Sequence, residues 1–133
     1  MVFLKTLSII GERMEIGVDC LEINRFSFIR TNQKFQQKIF TQNEIDYCIM
    51  RRSCEQHFAV RFAGKEAVKK ALSQYKIELP INKIEILNDH EGKPYVKILD
   101  ERGSNFRIKI SLSHSKYIAI AFAIVCNEKR KSE

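Results

Sequence analysis

The sequence predicts an α+β fold in which helices pack on one face of a mainly antiparallel sheet. Residues 55–73 follow a helical pattern, with alanine at every fourth position. Four strand-like segments follow this helix in two pairs, and another precedes the helices. The order of one strand, helices and then four strands is typical of α+β domains. A chain of 133 residues is long enough for one such domain with its own core.

The first strand-like segment, residues 16–23, is rich in β-branched and apolar side chains and should pass into a helix near Glu22. Asp19 interrupts this apolar segment, and we expect it at the exit of the strand. A carboxylate in such surroundings is costly without a partner, so Asp19 should hold a cation or join a buried hydrogen-bond network.

The longer helix, predicted at residues 55–73, has three distinct stripes. Its packed ridge consists of Ala59, Ala63, Ala67 and Ala71. The border of that ridge carries Phe62, Glu66 and Lys70. A separate basic stripe comprises Arg61, Lys65 and Lys69. The carboxylate of Glu66 is therefore expected at the edge of the packed face, where it reaches a cleft.

The remaining elements follow from local signals. Thr41 and Glu44 have the spacing of a capping box, which predicts a helix that begins after Thr41. The later strands are predicted at residues 83–87, 95–99, 106–112 and 117–125, and the turn-rich residues 88–94 should close a hairpin between the first two. We assign residues 14–127 to the domain, residues 1–13 to an N-terminal extension or an early start, and residues 128–133 to a basic tail.

The composition limits the classes of function. A formal charge of +7, from 23 basic and 16 acidic side chains, favours an anionic ligand. The basic residues are scattered and no nucleic-acid recognition motif is present, which argues against a nucleic-acid partner. No apolar segment approaches the roughly 20 residues that span a bilayer, so a soluble protein is expected. The four cysteines lack zinc-site spacing and indicate reduced thiols in a cytoplasm.

Two groups of polar residues are candidates for chemistry. Asp19 and Glu66 together suit one divalent metal, because magnesium takes one or two protein carboxylates and completes its shell with water and phosphate oxygens. The alternative is that Asp19 caps a helix and Glu66 pairs with Lys70 one turn away. The second group, Ser113, His114, Ser115 and Lys116, suits a phosphate, although a lone histidine at a strand end is more often structural.

Three segments in this order resemble the holo-acyl-carrier-protein synthase family of phosphopantetheinyl transferases. They are Gly17-Val18-Asp19, Phe62-Ala63-Gly64-Lys65-Glu66-Ala67-Val68-Lys69-Lys70-Ala71 and Ser111-Leu112-Ser113-His114-Ser115. The resemblance implies a 4′-phosphopantetheinyl transferase-like fold. It also implies a magnesium-dependent transfer of the 4′-phosphopantetheine group of coenzyme A to a serine of apo acyl carrier protein, in support of fatty acid biosynthesis. Adenosine 3′,5′-bisphosphate is the other product.

The resemblance also implies roles for individual residues. Asp19 and Glu66 would bind Mg²⁺, Glu66 would accept the proton of the carrier serine, and Lys70 would neutralise the pyrophosphate. The group Ser113, His114, Ser115 and Lys116 would contact phosphates of coenzyme A. Arg25 would dock an acidic helix of the carrier protein.

Short members of this family commonly form homotrimers with coenzyme A at the subunit interfaces, so a homotrimer is expected. Two other classes of function are weighed against the enzyme. The first is a non-catalytic module that binds coenzyme A or a carrier protein, and the second is a basic nucleic-acid-binding domain. The presence of Asp19, Glu66 and Lys70 argues against the first, and the missing recognition motifs argue against the second.

Overall fold

A computed structural model describes residues 13–127 and confirms the α+β class. Nearly all of the expected extension at residues 1–13, and the expected tail at 128–133, lie outside the described residues. The strands are β1 (Met14–Glu22), β2 (Ile84–Asn88), β3 (Pro94–Ile98), β4 (Phe106–His114) and β5 (Ile118–Asn127). The helices are α1 (Gln33–Ile39), α2 (Gln42–Ile49) and α3 (Cys54–Ser73).

The strands form two antiparallel sheets rather than one. The larger sheet has the order β1-β5-β4, and β2 pairs with β3 in a separate hairpin. In the larger sheet Ala121 lies opposite Asp19 on one side and opposite Leu112 on the other. The first and last parts of the chain are therefore neighbours, which places Asp19 in the same sheet as the segment that contains His114.

Helix α3 packs on the inner face of the larger sheet through small side chains. All four predicted ridge alanines are fully buried, and Ala119, Ala121 and Ala123 of β5 are buried with them. Gly17 of β1 approaches even more closely, because an added Cβ would lie 1.9 Å from the carbonyl oxygen of Ala67. Within residues 13–127, no helix is long and apolar enough to cross a membrane.

Three local predictions differ from the structure. The chain after β1 forms two 3-10 turns, Ile23–Phe26 and Ile29–Thr31, instead of an α-helix. Asp19 lies inside β1, three residues before its end, and not at the strand exit. Helix α1 was not predicted; the side chain of Asn32 caps it by accepting a hydrogen bond from the backbone N–H of Phe35. Tertiary contacts have overridden weak local preferences at these positions.

Helix α3 is fixed to α2 and β2 by a buried ion pair that the sequence did not indicate. Lys65 Nζ lies 2.6 Å from Glu44 Oε1, and both side chains are 0% exposed. Lys65 also donates to the carbonyl oxygens of Ile81 and Ile84, and Glu44 Oε2 accepts from the N–H of Ile86 at 2.8 Å. Burial lowers the pKa of Lys65, and the Glu44 carboxylate opposes that shift. Lys65, which was expected in a basic stripe, is thus a core residue.

The capping box of α2 belongs to the same network. The backbone N–H of Thr41 donates to Glu44, and the N–H of Glu44 donates to the Thr41 hydroxyl, as the spacing predicted. The Glu44 carboxylate therefore contacts the N-terminus of α2, strand β2 and Lys65 at the same time.

Replacing Lys65 with methionine should leave the Glu44 carboxylate buried without its cation. We expect a loss of roughly 3–5 kcal/mol in the free energy of unfolding, measured by urea denaturation. The double variant Glu44→Leu/Lys65→Met should recover part of this loss, because no unpaired charge remains buried. Lys69→Met, at a half-exposed position of the same helix, is the matched control. A Lys65→Met protein as stable as this control would contradict the prediction.

Candidate functional site

The first part of the candidate site lies where β1 crosses α3. The inner face of β1 presents Asp19, whose side chain is 17% exposed, and α3 presents Lys70, which is 55% exposed. Lys70 Nζ lies 3.0 Å from Asp19 Oδ1 and 2.9 Å from the carbonyl oxygen of Val18. Asp19 does not cap a helix, because Glu22 occupies the N-cap position of the next 3-10 turn and makes no side-chain cap. The capping alternative is therefore wrong.

Glu66 lies on the same side of α3, one helical turn before Lys70. Its side chain is half-buried. Within residues 13–127 it makes no ion pair, since Lys70 reaches Asp19 instead. The alternative of a Glu66–Lys70 ion pair is therefore not realised, and the Glu66 carboxylate is free to bind a ligand.

The donors at this crossing fit a magnesium ion. Asp19 and Glu66 supply two hard carboxylate oxygens, and the Lys70 ammonium beside Asp19 shows that a cation is accommodated here. Among the described residues, no group of three or more His, Cys, Asp or Glu side chains is placed to hold a metal. A metal bound by Asp19 and Glu66 would therefore complete its shell with water or phosphate oxygens, as magnesium usually does.

The predicted phosphate group, residues 113–116, is divided by the turn between β4 and β5. Successive strand residues point to opposite faces, so Ser113 faces outward and His114 faces the α3 side. Ser115 Oγ accepts hydrogen bonds from the N–H groups of Tyr117 and Ile118 at 3.2 and 3.1 Å, which stabilises the turn. The four side chains therefore do not converge on one point.

Lys116 lies on the turn and helps to line an open cavity of about 360 Å³. Its Nζ lies 5.6 Å from the centre of the Tyr117 ring. Glu22 and Glu55 line the same cavity, so its wall carries negative charges as well as the positive charge of Lys116. A phosphate that approached Lys116 from this cavity would also meet two carboxylates. Within one chain, His114 thus has the better surroundings for an anion.

Around His57, whose ring centre lies 5.9 Å from that of Tyr47, the structure shows a cationic cluster that the sequence did not reveal. The guanidinium carbons of Arg51 and Arg61 lie 3.4 and 4.0 Å from the centre of the Tyr47 ring. Burial lowers the pKa of His57, and the charges of Arg61, Arg51 and His114 lower it further. Among the described residues, no carboxylate lies within 4 Å of either guanidinium group. The sequence offered only one signal, the four-residue spacing of His57 and Arg61 on α3.

Helix α3 separates this cationic cluster from the carboxylates. At about 100° per residue, the nine residues from His57 to Glu66 place the two side chains on opposite sides of the helix. The faces between them are packed: Ala63 and Ala67 on one side and Phe58 and Lys65 on the other are fully buried. One chain therefore presents two half-sites of opposite charge on opposite sides of α3.

Arg25 lies beside an open apolar groove. It is exposed at the end of the first 3-10 turn and forms no ion pair with any residue between 13 and 127. It rims a groove of about 350 Å³, whose other lining residues are Leu21, Phe26, Phe28, Phe35, Ile39 and Phe62. The rings of Phe26 and Phe62 are 5.4 Å apart. Because Phe62 lies one turn before Glu66, the groove borders the carboxylate half-site.

The outer face of the larger sheet is apolar and exposed. Ile16 and Val18 of β1 alternate with the buried Gly17, and Ile120 and Phe122 of β5 lie beside them. These four side chains are between 41% and 61% exposed. A contiguous apolar face of this kind marks an interaction surface rather than ordinary solvent-exposed surface.

A family model for the 4′-phosphopantetheinyl transferase superfamily matches residues 15–123. The chain belongs to this superfamily. The matched residues include both half-sites, the Arg25 groove and most of the larger sheet. The resemblance stated from the three sequence segments is therefore confirmed.

Curated relatives of the superfamily match nearly their full length. A holo-[acyl-carrier-protein] synthase of Fusobacterium nucleatum is 38% identical over 117 residues, which cover 83% of this chain and 96% of the relative. The corresponding protein of Thermodesulfovibrio yellowstonii is 41% identical over 112 residues, with the same two coverages.

Solved structures of the superfamily share the fold. An ACPS–CoA complex from Chronobacterium ammoniagenes has a TM-score of 0.75 at 27% identity, and the match covers 88% of this chain and 99% of that one. The Helicobacter pylori holo-[acyl-carrier-protein] synthase in complex with coenzyme A has a TM-score of 0.71 at 31% identity, with coverages of 83% and 98%. The predicted α+β, 4′-phosphopantetheinyl transferase-like fold is therefore confirmed.

Proposed function

We propose that this chain transfers the 4′-phosphopantetheine group of coenzyme A to a serine of apo acyl carrier protein. The products are the holo carrier protein and adenosine 3′,5′-bisphosphate. One observation supports the proposal: in a chain that shares the fold of enzymes solved with coenzyme A, Lys70 of α3 contacts Asp19 of β1, and Glu66 lies one helical turn before Lys70. The holo-[acyl-carrier-protein] synthases that it matches are covered almost completely, so the comparison concerns the whole enzyme and not a fragment.

The carboxylate half-site supports the following roles. Mg²⁺ held by Asp19 and Glu66 would neutralise charge on the pyrophosphate oxygens. Glu66 accepts the proton of the carrier serine, directly or through one water, because of the two carboxylates it is the one that forms no ion pair within the described part of the chain. The serine oxygen then bonds to the β-phosphorus of coenzyme A, and the bond from that phosphorus to the bridging oxygen breaks. Lys70 stabilises the negative charge on the departing bisphosphate.

The cationic cluster supports the role of His114 in binding phosphate. Arg51, Arg61, His57 and His114 bring several positive or ionisable groups together without a neighbouring carboxylate among the described residues. Such a group is stabilised by an anion with several negative oxygens, and coenzyme A provides one. Within this proposal, the other members of the predicted phosphate group make peripheral contacts. Ser113 would contact the phosphates from the outer face of β4, and Ser115 and Lys116 from the β4–β5 turn.

The separation of the two half-sites supports a homotrimer with shared sites. One coenzyme A molecule cannot easily reach both sides of α3 in a single chain. It can do so if the cationic cluster of one copy faces the carboxylate half-site of the next. Contacts of this head-to-tail type close into rings, and the exposed apolar face of the larger sheet supplies a surface for them.

The proposed setting is the cytoplasm, in support of fatty acid biosynthesis. The four cysteines are all free, and burial raises the pKa of Cys48 to about 12, which keeps that thiol protonated and unreactive. The competing function is a non-catalytic module that binds coenzyme A or a carrier protein. Glu66, which makes no ion pair with any residue from 13 to 127, favours the enzyme, because a binding module has no use for a free proton acceptor.

The test of the activity is incubation with apo carrier protein, coenzyme A and Mg²⁺, followed by intact-mass measurement of the carrier. The wild-type protein should add a phosphopantetheinyl group. Glu66→Gln should lose at least about a hundredfold in rate, because the amide neither binds metal well nor accepts a proton. Glu78→Gln, an exposed carboxylate after the same helix, is the control and should retain full rate. No mass gain with the wild-type protein would favour the binding module.

Arg25→Glu tests the docking of the carrier protein. We expect the KM for apo carrier protein to rise about tenfold or more, because an acidic carrier helix would meet a like charge. The affinity for coenzyme A, measured by calorimetry, should stay unchanged. The wild-type KM should also rise with salt concentration, and this dependence should weaken in the variant. Lys97→Glu makes the same charge change on β3, away from the groove, and an equal effect there would exclude specific docking by Arg25.

Shared sites predict complementation between two inactive variants. Glu66→Gln removes the carboxylate function, and His114→Ala weakens the cationic half-site. When the two proteins are unfolded together and refolded at equal amounts, a site with both halves intact should form in about a quarter of the interfaces. Transfer activity should therefore recover to about that fraction of wild type. Mixed refolding that gives no more activity than the separately refolded variants would argue for sites contained within one chain.

A further inference from the structure

Lys70 makes two contacts within the protein that binding of a phosphate does not require. Its ammonium lies against the Asp19 carboxylate and against the carbonyl oxygen of Val18. Both acceptors belong to β1, and Asp19 is one of the two carboxylates that fit a magnesium ion. The ammonium therefore occupies a carboxylate oxygen that a divalent cation would use.

The Lys70 ammonium and a divalent cation would bind the Asp19 carboxylate in different ways. Lys70 is more than half exposed, at the end of a flexible four-carbon stem, so it can leave Asp19 at little cost in packing. Glu66 does not compensate Asp19 by binding the ammonium as well, because its carboxylate lies beyond ion-pair distance of Lys70. A divalent cation that binds Asp19 and Glu66 must therefore compete with Lys70 for only one of its two ligands.

We propose that Lys70 exchanges partners during the reaction cycle: its ammonium binds Asp19 in the free protein and moves to the pyrophosphate when coenzyme A and the divalent cation enter. This inference rests on the proposed function and names a coupling within that site. The pyrophosphate is the replacement anion that makes the release of Asp19 favourable. Lys70 is thus a residue that links the binding of the metal to the binding of coenzyme A.

Linkage gives this exchange a measurable consequence. If Lys70 blocks Asp19 only while coenzyme A is absent, the metal binds weakly to the free protein and more tightly to the coenzyme A complex. By reciprocity, the metal strengthens coenzyme A binding by the same factor. Removing the ammonium should raise the metal affinity of the free protein and reduce the additional gain that coenzyme A provides.

The experiment is calorimetric titration of Mn²⁺ into the full chain, with and without coenzyme A at saturation. Manganese is the probe because it accepts the same oxygen ligands as magnesium. Without coenzyme A, Lys70→Met should bind Mn²⁺ about two- to fivefold more tightly than wild type, the size expected for losing one partly exposed ion pair. With coenzyme A, the difference between the two proteins should shrink or reverse. Lys70→Gln, which keeps a neutral donor near Asp19, should give an intermediate gain.

Lys69→Met removes a positive charge from the neighbouring position of α3 and is the matched control. It should change Mn²⁺ affinity less than twofold, because its charge does not contact Asp19 and is screened by solvent. Equal gains in Lys69→Met and Lys70→Met, or unchanged Mn²⁺ affinity in Lys70→Met, would overturn the exchange but would not contradict the proposed transferase function of the wild-type protein. The absence of Mn²⁺ binding to all four proteins, with coenzyme A present, would overturn the metal site and the exchange together.

Discussion

The close approach of β1 to α3 is the constraint on which the rest of the structure depends. Gly17 and the alanine ridge let a strand and a helix lie almost in backbone contact, since even one methyl group at Gly17 would overlap the carbonyl oxygen of Ala67. This approach brings Asp19 within 3.0 Å of Lys70 and onto the same side of α3 as Glu66. If β1 lay farther from α3, Asp19 and Glu66 could not bind the same cation.

The sequence predicted the parts of the fold that repeat a local pattern. The alanine spacing located α3, the Thr41 capping box located α2, and the alternating apolar residues located the later strands. It failed where long-range contacts decide the outcome. The 3-10 turns after β1 read as a helix, and Lys65 read as a surface cation because its buried partner Glu44 lies 21 residues away in the chain. A single sequence contains no signal that joins two such distant charges.

For the candidate site, the sequence indicated the residue types but not how those residues are arranged in space. Asp19 and Glu66 stood out because carboxylates interrupt apolar segments, and the structure places them on facing elements. Residues 113–116 were treated as one group, yet alternation along β4 sends Ser113 and His114 to opposite faces. The arginines around Tyr47 were missed altogether, because neither their stacking nor the shared vicinity of His57 and His114 is visible before α3 is placed against β4.

The apolar outer face of the larger sheet has a consequence for how the chain folds. Within residues 13–127, helices cover only one side of the three-stranded sheet, and the other side is left exposed. If copies of the chain associate through that side, as in the proposed homotrimer, its burial contributes to the stability of each copy. In such a protein, dilution weakens the fold as well as the assembly, and the melting temperature rises with protein concentration.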